Sequence, residues 1–235
     1  MGNILEGQIR KYIKAYGAVK ADDTICVGVS GGKDSMVMLH ALASLREYLK
    51  IPFELKAVTV SLGFEGFDTE PIAELCNLLE IEFRLVSTEI GKIVFEARSE
   101  ENPCSLCANM RRGALNNAAL EYGCNKVALG HNMDDLLETY LLALFYEGRM
   151  HTFSPVTFLS RKNLEVIRPL SFSYSKDVRY YRNTHEIPVV ENPCPADKDS
   201  KRKEIRDFIR QMSMKNPHFK SNIIGAIKRN HIGGW

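Results

Sequence analysis

Residues 30–35, with the sequence SGGKDS, combine the residue types that bind phosphate groups. They lie between a short run rich in β-branched residues and a stretch in which apolar residues recur at helical spacing. Glycines let backbone N–H groups approach an anion, and the start of a helix adds a partial positive charge. Lys33 and the two serines add hydrogen-bond donors. The segment therefore predicts a site for the pyrophosphate of a nucleotide, although a Gly-Gly turn before a helix cap gives a similar pattern.

Three cysteines lie where they could bind a metal or carry sulfur. Cys104 and Cys107 form a Cys-x-x-Cys pair, and Arg111 and Arg112 follow at the start of a predicted helix. Because a helix N-terminus and cationic side chains favour thiolates, the pattern predicts lowered pKa values for both thiols. Cys194 lies between two prolines, just after a predicted strand. Three such cysteines could hold a [4Fe–4S] cluster by three of its irons, whereas a structural zinc site would need a fourth protein ligand.

A third motif, GHNMDD at residues 130–135, follows a short predicted strand. Open α/β sheets bind ligands at the carboxyl ends of their strands, and Gly130 permits close approach of a nucleotide there. His131 is the one histidine that belongs to a motif. Asp134 and Asp135 stand before an apolar helical face, so they are either helix-capping residues or carboxylates for Mg²⁺ or the substrate.

The elements that position these motifs alternate along the chain. Strands or extended segments are predicted at residues 24–29, 53–60, 82–87, 125–130, 166–170 and 188–191. Helices are predicted near residues 4–16, after each of the three motifs, after residue 69, and at about 200–212. This alternation predicts an α/β fold with a doubly wound parallel sheet and a short helical C-terminal appendage. The expected organisation is an N-terminal helix, a nucleotide-binding domain and a basic helical C-terminal segment, at residues 1–20, 21–195 and 196–235.

The composition is that of a globular protein. Of 235 residues, 45% are hydrophobic and 26% are charged, which excludes a disordered chain and a membrane protein. No stretch has the length of a transmembrane helix, and the N-terminus lacks the pattern of a signal sequence, so we expect a cytoplasmic protein without membrane association. Six cysteines at this length do not form the disulfide framework of a small secreted protein.

Charge is distributed unevenly along the chain. Residues 1–150 carry 15 Lys and Arg against 21 Asp and Glu, a net charge of −6, whereas residues 151–235 carry 16 against 8, a net charge of +8. Such asymmetry indicates a polyanionic partner, although a solvated charged face gives the same pattern. The basic residues expected to contact the phosphates of such a partner are Arg161, Lys162, Arg179, Arg182, Lys201, Arg202 and Lys203.

Together, SGGKDS, PCSLC followed by Arg-Arg-Gly, GHNMDD and the late Cys194-Pro195 resemble the motifs of one enzyme superfamily. The chain is similar to the PP-loop, or N-type ATP pyrophosphatase, superfamily, and within it to the tRNA 2-thiolation branch of 2-thiocytidine and 2-thiouridine synthetases. The resemblance extends over about residues 20–210. It implies strand order 3-2-1-4-5, ATP, Mg²⁺, a three-cysteine [4Fe–4S] cluster and a tRNA substrate.

Two departures from the family pattern leave the modified base open. The 2-thiouridine enzymes carry zinc-finger cysteines at both ends, and this chain has none. The 2-thiocytidine enzymes usually show a second Cys-x-x-Cys at the late position, where this chain has Cys194 alone.

The resemblance implies a role for each candidate site residue. The cofactor-binding residues are Val29, Ser30, Gly31, Gly32, Lys33, Asp34, Ser35, Val60, Gly130 and His131, and the metal-binding residues are Cys104, Cys107 and Cys194. Arg111 would stabilise negative charge, and Asp134 or Asp135 would hold Mg²⁺ or move a proton. In the implied reaction, ATP adenylates a pyrimidine carbonyl oxygen, and sulfur from the cluster then replaces that oxygen and expels AMP.

Three alternatives fit the same residues. A cysteine persulfide could carry the sulfur without iron, or the chain could be a PP-loop ligase similar to lysidine synthetase, in which the cysteines are incidental. The third alternative is a nucleotide-binding sulfur carrier without catalysis. The expected partners are tRNA and a sulfur donor, which is a cysteine desulfurase, sulfide or a sulfur-carrier protein. The N-terminal helix is available for homodimerisation.

Overall fold

The structure, a computed structural model, describes residues 3–97, 103–190, 193–194 and 201–235. The strands of this part are β1 (Asp23–Gly28), β2 (Phe53–Ser61), β3 (Glu82–Ser87), β4 (Lys126–Ala128), β5 (Val156–Leu159) and β6 (Leu164–Ile167). The helices are α1 (Ile4–Tyr16), α2 (Lys33–Tyr48), α3 (Glu70–Leu78), α4 (Ile90–Lys92), α5 (Pro103–Glu121), α6 (Met133–Glu147), α7 (Ser175–Thr184), α8 (Lys201–Lys215) and α9 (Phe219–Arg229). A π-helical turn, Ile93–Ala97, continues α4, and 3₁₀ turns occupy Ser160–Lys162, Pro169–Phe172 and Ile232–Gly234.

The strands form one sheet of order β3-β2-β1-β4-β6-β5. The first five are parallel, with Asp23 of β1 opposite Phe53 of β2 and Cys26 opposite Val127 of β4. Because β6 is the fifth of the predicted strands, the order 3-2-1-4-5 is confirmed, and with it the α/β fold class. The edge strand β5 pairs antiparallel with β6 and is not among the predicted strands. Its four residues are too few to give a clear periodic pattern.

Two predicted extended segments differ in part from the structure. β6 ends at Ile167 rather than at residue 170, because Pro169 has no N–H to donate and opens a 3₁₀ turn. Residues 188–190 belong to no strand, and Glu191 lies outside the described residues. The N–H of Val190 donates instead to the carbonyl oxygen of Gly31, at 2.9 Å, so this segment closes onto the SGGKDS loop.

Helix α1 is part of the main hydrophobic core. Its apolar face places Leu5, Ile9 and Tyr12 at 1% exposure or less, as the helical spacing predicted. The Tyr12 hydroxyl donates to the carbonyl oxygen of Pro155 at 2.9 Å and accepts the N–H of Arg168 at 2.9 Å. These bonds join α1 to the ends of β5 and β6.

A buried charge cluster joins the strands at the amino end of β4. The Nζ of Lys126, whose side chain is 4% exposed, donates to Ala18 O at 3.0 Å and to Glu165 Oε1 at 2.8 Å. It also lies 3.2 Å from Oδ2 of Asp23, whose side chain is 5% exposed. The cluster compensates a lysine and an aspartate that would each be costly to bury alone.

The C-terminal helices pack against α6. Ile205 and Ile209 of α8 lie against Leu137 and Leu141 of α6, and α9 contacts the first turns of the same helix. The indole N–H of Trp235 donates to Phe153 O at 2.7 Å, so the described chain end also packs onto the body of the protein. The expected domain boundaries stay predictions, and the boundary at 195/196 lies outside the described residues.

None of the helices in the described ranges combines the length and apolar character that a membrane-spanning segment requires.

Candidate functional site

The SGGKDS loop joins the carboxyl end of β1 to the amino end of α2. Gly31 has φ +81°, and a Cβ there would lie 2.8 Å from the Cβ of Val190, so the turn requires glycine for both its conformation and its packing. The hydroxyl of Ser35 accepts the N–H of Ser30 at 3.1 Å and donates to Gly32 O at 2.9 Å. The loop is therefore folded back on itself, with Gly32 as the N-cap of α2.

A cavity of about 540 Å³ opens beside this loop, a volume that suits a nucleotide-sized ligand. The candidate cofactor-binding residues on its wall are Val29, Ser30, Asp34, Ser35, Val60, Gly130 and His131. Gly31, Gly32 and Lys33 belong to the same loop but do not line the cavity. Across the cavity, the wall is formed by Cys104, Arg111 and Arg112 of α5 together with Pro193.

The GHNMDD segment is fastened directly to the phosphate loop. A Cβ on Gly130 would lie 3.1 Å from the backbone C of Asp34 and the backbone N of Ser35, so glycine permits the close approach of the two loops. Asn132 caps α6, because its Oδ1 accepts the N–H groups of Asp134 and Asp135. Its Nδ2 donates to Asp34 Oδ1 at 2.9 Å.

The two aspartates of the motif have different surroundings. The carboxylate of Asp134 accepts Lys220 Nζ at 2.5 Å on one oxygen and the N–H of Ser175 at 2.8 Å on the other. Oδ2 of Asp135 accepts the N–H of Asn132 at 2.9 Å, which completes the capping box of α6. Burial raises the pKa of Asp135, and the negative charge of Asp34 raises it further. Asp134 therefore ties the C-terminal helices to α6, whereas Asp135 lies close to the acidic residue of the phosphate loop.

Helix α5 begins at Pro103, so Cys104 and Cys107 lie inside its first turns rather than ahead of it, which corrects the expected helix start. Proline suits the first helical position because its φ is fixed and its missing N–H has no partner there. Cys104 is exposed, whereas Cys107 packs among apolar side chains.

The expectation of a lowered pKa is wrong for Cys107. Burial raises the pKa of this thiol, and the positive charge of Arg111 only partly offsets the effect. The charges of Cys194 and Cys104 raise it further. Within the described ranges, no three His, Cys, Asp or Glu side chains form a group arranged to hold a metal ion.

His131 is a neutral imidazole at the inner end of the motif. Burial lowers its pKa to about 3, and the positive charges of nearby arginines act in the same direction. These are Arg168, Arg202, Arg112 and Arg111. Its ring lies 5.0 Å from that of Phe153, whose ring also receives the Arg168 guanidinium at 5.2 Å. Among the described residues, the buried Nδ1 of His131 has no hydrogen-bond partner, so it is available to a ligand.

The sequence did not predict the positions of several residues at the site. Arg202, expected among the phosphate contacts of a polyanion, lines the cavity beside Arg111 and Arg112. Lys220 reaches Asp134 from α9, and no local motif marks it. The remaining basic candidates are at or near the surface. Arg161, Arg179, Lys201 and Lys203 are exposed, Arg182 donates to Ile187 O, and Lys162 bonds to Asn117.

A phosphate loop at the carboxyl edge of a parallel sheet, facing a cysteine-bearing helix across one cavity, defines a nucleotide-binding α/β protein. Over residues 2–213 the chain matches the family model described as the PP-loop domain. The tRNA-cytidine(32) 2-sulfurtransferase of Syntrophotalea carbinolica is 38% identical over 222 residues, which cover 92% of this chain and 85% of that protein. The protein of the same name from Citrifermentans bemidjiense is 32% identical over 230 residues, covering 97% and 90%.

A solved structure is similar over nearly the whole chain. The U34-tRNA thiolase NcsA from Methanococcus maripaludis, with its [4Fe-4S] cluster, matches with a TM-score of 0.77 at 26% identity, covering 96% of this chain and 76% of that one. The chain belongs to the PP-loop family, and its resemblance to the tRNA 2-thiolation branch is confirmed by these relatives.

Proposed function

We propose that this protein is an ATP-dependent tRNA sulfurtransferase that replaces the 2-carbonyl oxygen of a pyrimidine base by sulfur. One observation carries the proposal: a single cavity has the phosphate loop on one wall and Cys104 with Arg111 on another. A base activated by ATP and a source of sulfur can therefore meet in one site. The names of the relatives make cytidine 32 the first substrate to test, and the name of the structural neighbour makes uridine 34 the second.

The phosphate loop would hold the pyrophosphate of ATP. Asp34 and Ser35 line the cavity at the start of α2, so their backbone N–H groups are candidate donors, and the Ser35 hydroxyl would exchange Gly32 O for phosphate. Lys33 Nζ now lies 2.6 Å from Asp34 Oδ2 and would exchange this partner for phosphate. In the first step, the carbonyl oxygen of the base forms a bond to the α phosphorus, and pyrophosphate leaves with the electron pair of the broken P–O bond.

We propose Asp34 and Asp135 as the residues that hold Mg²⁺. Both carboxylates are bonded to Asn132, one to its side chain and one to its backbone N–H. Two negative charges brought together in a partly buried place favour a divalent cation with oxygen ligands. When bound, Mg²⁺ offsets the charge of the triphosphate. Asp134 is left out of this site because its carboxylate is bonded to Lys220 and Ser175 of other helices rather than to Asn132.

We propose Cys104, Cys107 and Cys194 as the residues that hold a [4Fe–4S] cluster. An all-sulfur donor set suits such a cluster, and Cys104 lines the same cavity as Pro193, the residue before Cys194. When bound, the cluster supplies an iron atom without a protein ligand, at which sulfur can be held. In the second step, sulfur forms a bond to the base carbon as the C–O bond breaks, and the base oxygen leaves in AMP. Arg111 would stabilise the negative charge that develops.

The tRNA would be bound through its phosphates by basic residues at or near the surface in the last third of the chain. Arg161 and Lys162 lie in the turn between β5 and β6, Arg179 lies on α7, and Lys201 and Lys203 open α8. Because phosphate contacts release counterions, tRNA affinity should fall steeply as the salt concentration rises.

Nucleoside mass spectrometry tests the proposed reaction. Protein reconstituted anaerobically with iron and sulfide is incubated with unmodified tRNA, ATP, Mg²⁺ and sulfide. We expect 2-thiocytidine at position 32, with one AMP for each sulfur inserted, and neither product from Cys104→Ala. Cys76→Ala is the matched control, because Cys76 is buried in the core and contributes nothing to the cavity wall.

Other products would identify the alternatives. Thiolation by iron-free protein would favour a cysteine persulfide, and AMP formation coupled to addition of an amine would favour a ligase. Absence of AMP with every tRNA would contradict catalysis and favour a nucleotide-binding sulfur carrier.

A further inference from the structure

Helix α8 brings one arginine to the cavity that holds the phosphate loop. Arg202 lines this cavity together with Ser30, Asp34 and Ser35, although it lies in the C-terminal segment. Its side chain is 40% exposed, so a ligand can reach it. The segment expected to be an appendage therefore contributes directly to the wall of the nucleotide site.

The guanidinium of Arg202 is held loosely between two carboxylates of α6. Its Nη1 lies 3.8 Å from Asp135 Oδ1 and 3.8 Å from Glu138 Oε2. Both distances exceed those of a hydrogen bond, so these two ion pairs position the guanidinium without engaging its N–H donors. Among the described residues, Glu138 Oε2 has no hydrogen-bond partner, which agrees with its distance of 3.8 Å from Arg202 Nη1.

The position of Arg202 is fixed by the rest of α8. Arg206, one turn further along, donates through Nε to Glu138 Oε1 at 2.9 Å, and Glu138 has a side chain only 7% exposed. Ile205 and Ile209 of the same helix pack on the apolar face of α6. The backbone of α8 is therefore anchored, while the side chain of Arg202 can move toward an incoming anion.

The neighbours of Arg202 indicate which anion it would meet. Asp135 is joined through Asn132 to Asp34 of the phosphate loop, so Arg202 stands on the side of the cavity where the nucleotide phosphates are expected. His131 lines the same cavity, and its pKa is lowered by the positive charges of Arg202, Arg112 and Arg111. Guanidinium groups converge there on one site, which is the arrangement that binds a triphosphate.

We propose that Arg202 contacts the β or γ phosphate of bound ATP, so that bound nucleotide holds the first turn of α8 in place at the cavity wall. The proposal rests on the proposed function for the identity of the nucleotide. It assigns the C-terminal segment a role in ATP binding in addition to any contact with RNA.

Calorimetric titration of the protein without tRNA tests this contact. We expect Arg202→Ala to weaken binding of Mg²⁺–ATP by about 10- to 100-fold, the range for loss of a charge-assisted hydrogen bond, and to leave AMP binding unchanged. Arg202→Lys should recover part of the affinity because it keeps the charge. Arg210→Ala, at an exposed position of the same helix, is the control and should bind ATP as the unchanged protein does.

Hydrogen exchange separates a phosphate contact from a purely structural effect. ATP should slow amide exchange at the start of α8 in the unchanged protein and in Arg210→Ala, but not in Arg202→Ala. Equal ATP affinity of Arg202→Ala and the unchanged protein would overturn the inference, and loss of tRNA affinity alone would assign Arg202 to RNA. If the unchanged protein binds no ATP, the proposed function itself fails.

Discussion

Asp134 and Asp135 are predicted to have different roles, the first in stability and the second in Mg²⁺–ATP binding. Asp134 and Lys220 form an ion pair at 2.5 Å, with side chains 17% and 35% exposed, and Asp134 also accepts the N–H of Ser175. A charge-assisted hydrogen bond contributes about 1.5–3 kcal/mol when shielded from water. Because Lys220 is about one-third exposed, solvent screening reduces the pair to about 1 kcal/mol. Asp134→Asn should therefore cost about 1–2 kcal/mol of unfolding free energy, since the amide keeps an acceptor for Ser175.

Urea unfolding of Asp134→Asn, Lys220→Met and the double variant measures this coupling. We expect a coupling free energy of about 1 kcal/mol between the two positions. Calorimetry should then show nearly unchanged Mg²⁺–ATP affinity for Asp134→Asn and a marked loss for Asp135→Asn. Full stability of Asp134→Asn with loss of Mg²⁺–ATP binding, or normal Mg²⁺–ATP binding by Asp135→Asn, would contradict these roles.

Three further predictions follow from buried groups. Lys126→Met should lower the free energy of unfolding by about 3–5 kcal/mol, because the substitution leaves the Asp23 carboxylate buried without a cation. Equilibrium denaturation measures the loss, and a loss below about 1 kcal/mol would contradict the prediction. His131 has a folded-state pKa of about 3 against an ordinary value of 6.5, so its contribution to stability is complete above pH 6.5 and is lost as the pH falls from there toward 3. The stability of His131→Asn should decline less than that of the unchanged protein between pH 6.5 and 5.5, by about 1 kcal/mol, and parallel curves would contradict this. Gly130→Ala should lower the free energy of unfolding by about 1–3 kcal/mol and weaken ATP binding, because the added methyl group would press on the backbone of the phosphate loop. Calorimetry measures the ATP affinity, and an unchanged affinity would contradict the prediction.

The parallel strands and the phosphate loop could be predicted because each has a local signal. Short runs of apolar residues bounded by polar ones gave β1, β2 and β3, and two adjacent glycines before a helical pattern marked the loop. The errors occur where such a local signal is weak or absent. The antiparallel strand β5 has four residues, too few for a clear periodic pattern, and in the described part of the chain it pairs with β6 alone.

The parts of the site that the sequence did not predict depend on contacts between distant segments. Asp134 and Asp135 are adjacent and chemically identical, and only the positions of Lys220 and Asn132 separate their roles. The same is true of Cys107, whose pKa is set by the apolar residues around it rather than by the arginine one turn away. Arg202 belongs to a basic run that is typical of a solvated helix, and only the packing of α8 on α6 places it in the cavity.

The most direct test of the account follows the oxygen atom of the base. A tRNA labelled with ¹⁸O at the 2-carbonyl of the target pyrimidine is incubated with the reconstituted protein, ATP, Mg²⁺ and sulfide, and the products are analysed by mass spectrometry. Adenylation followed by sulfur transfer predicts one ¹⁸O in each AMP and none in pyrophosphate. Label released as water or inorganic phosphate, with unlabelled AMP, would contradict the proposed use of ATP.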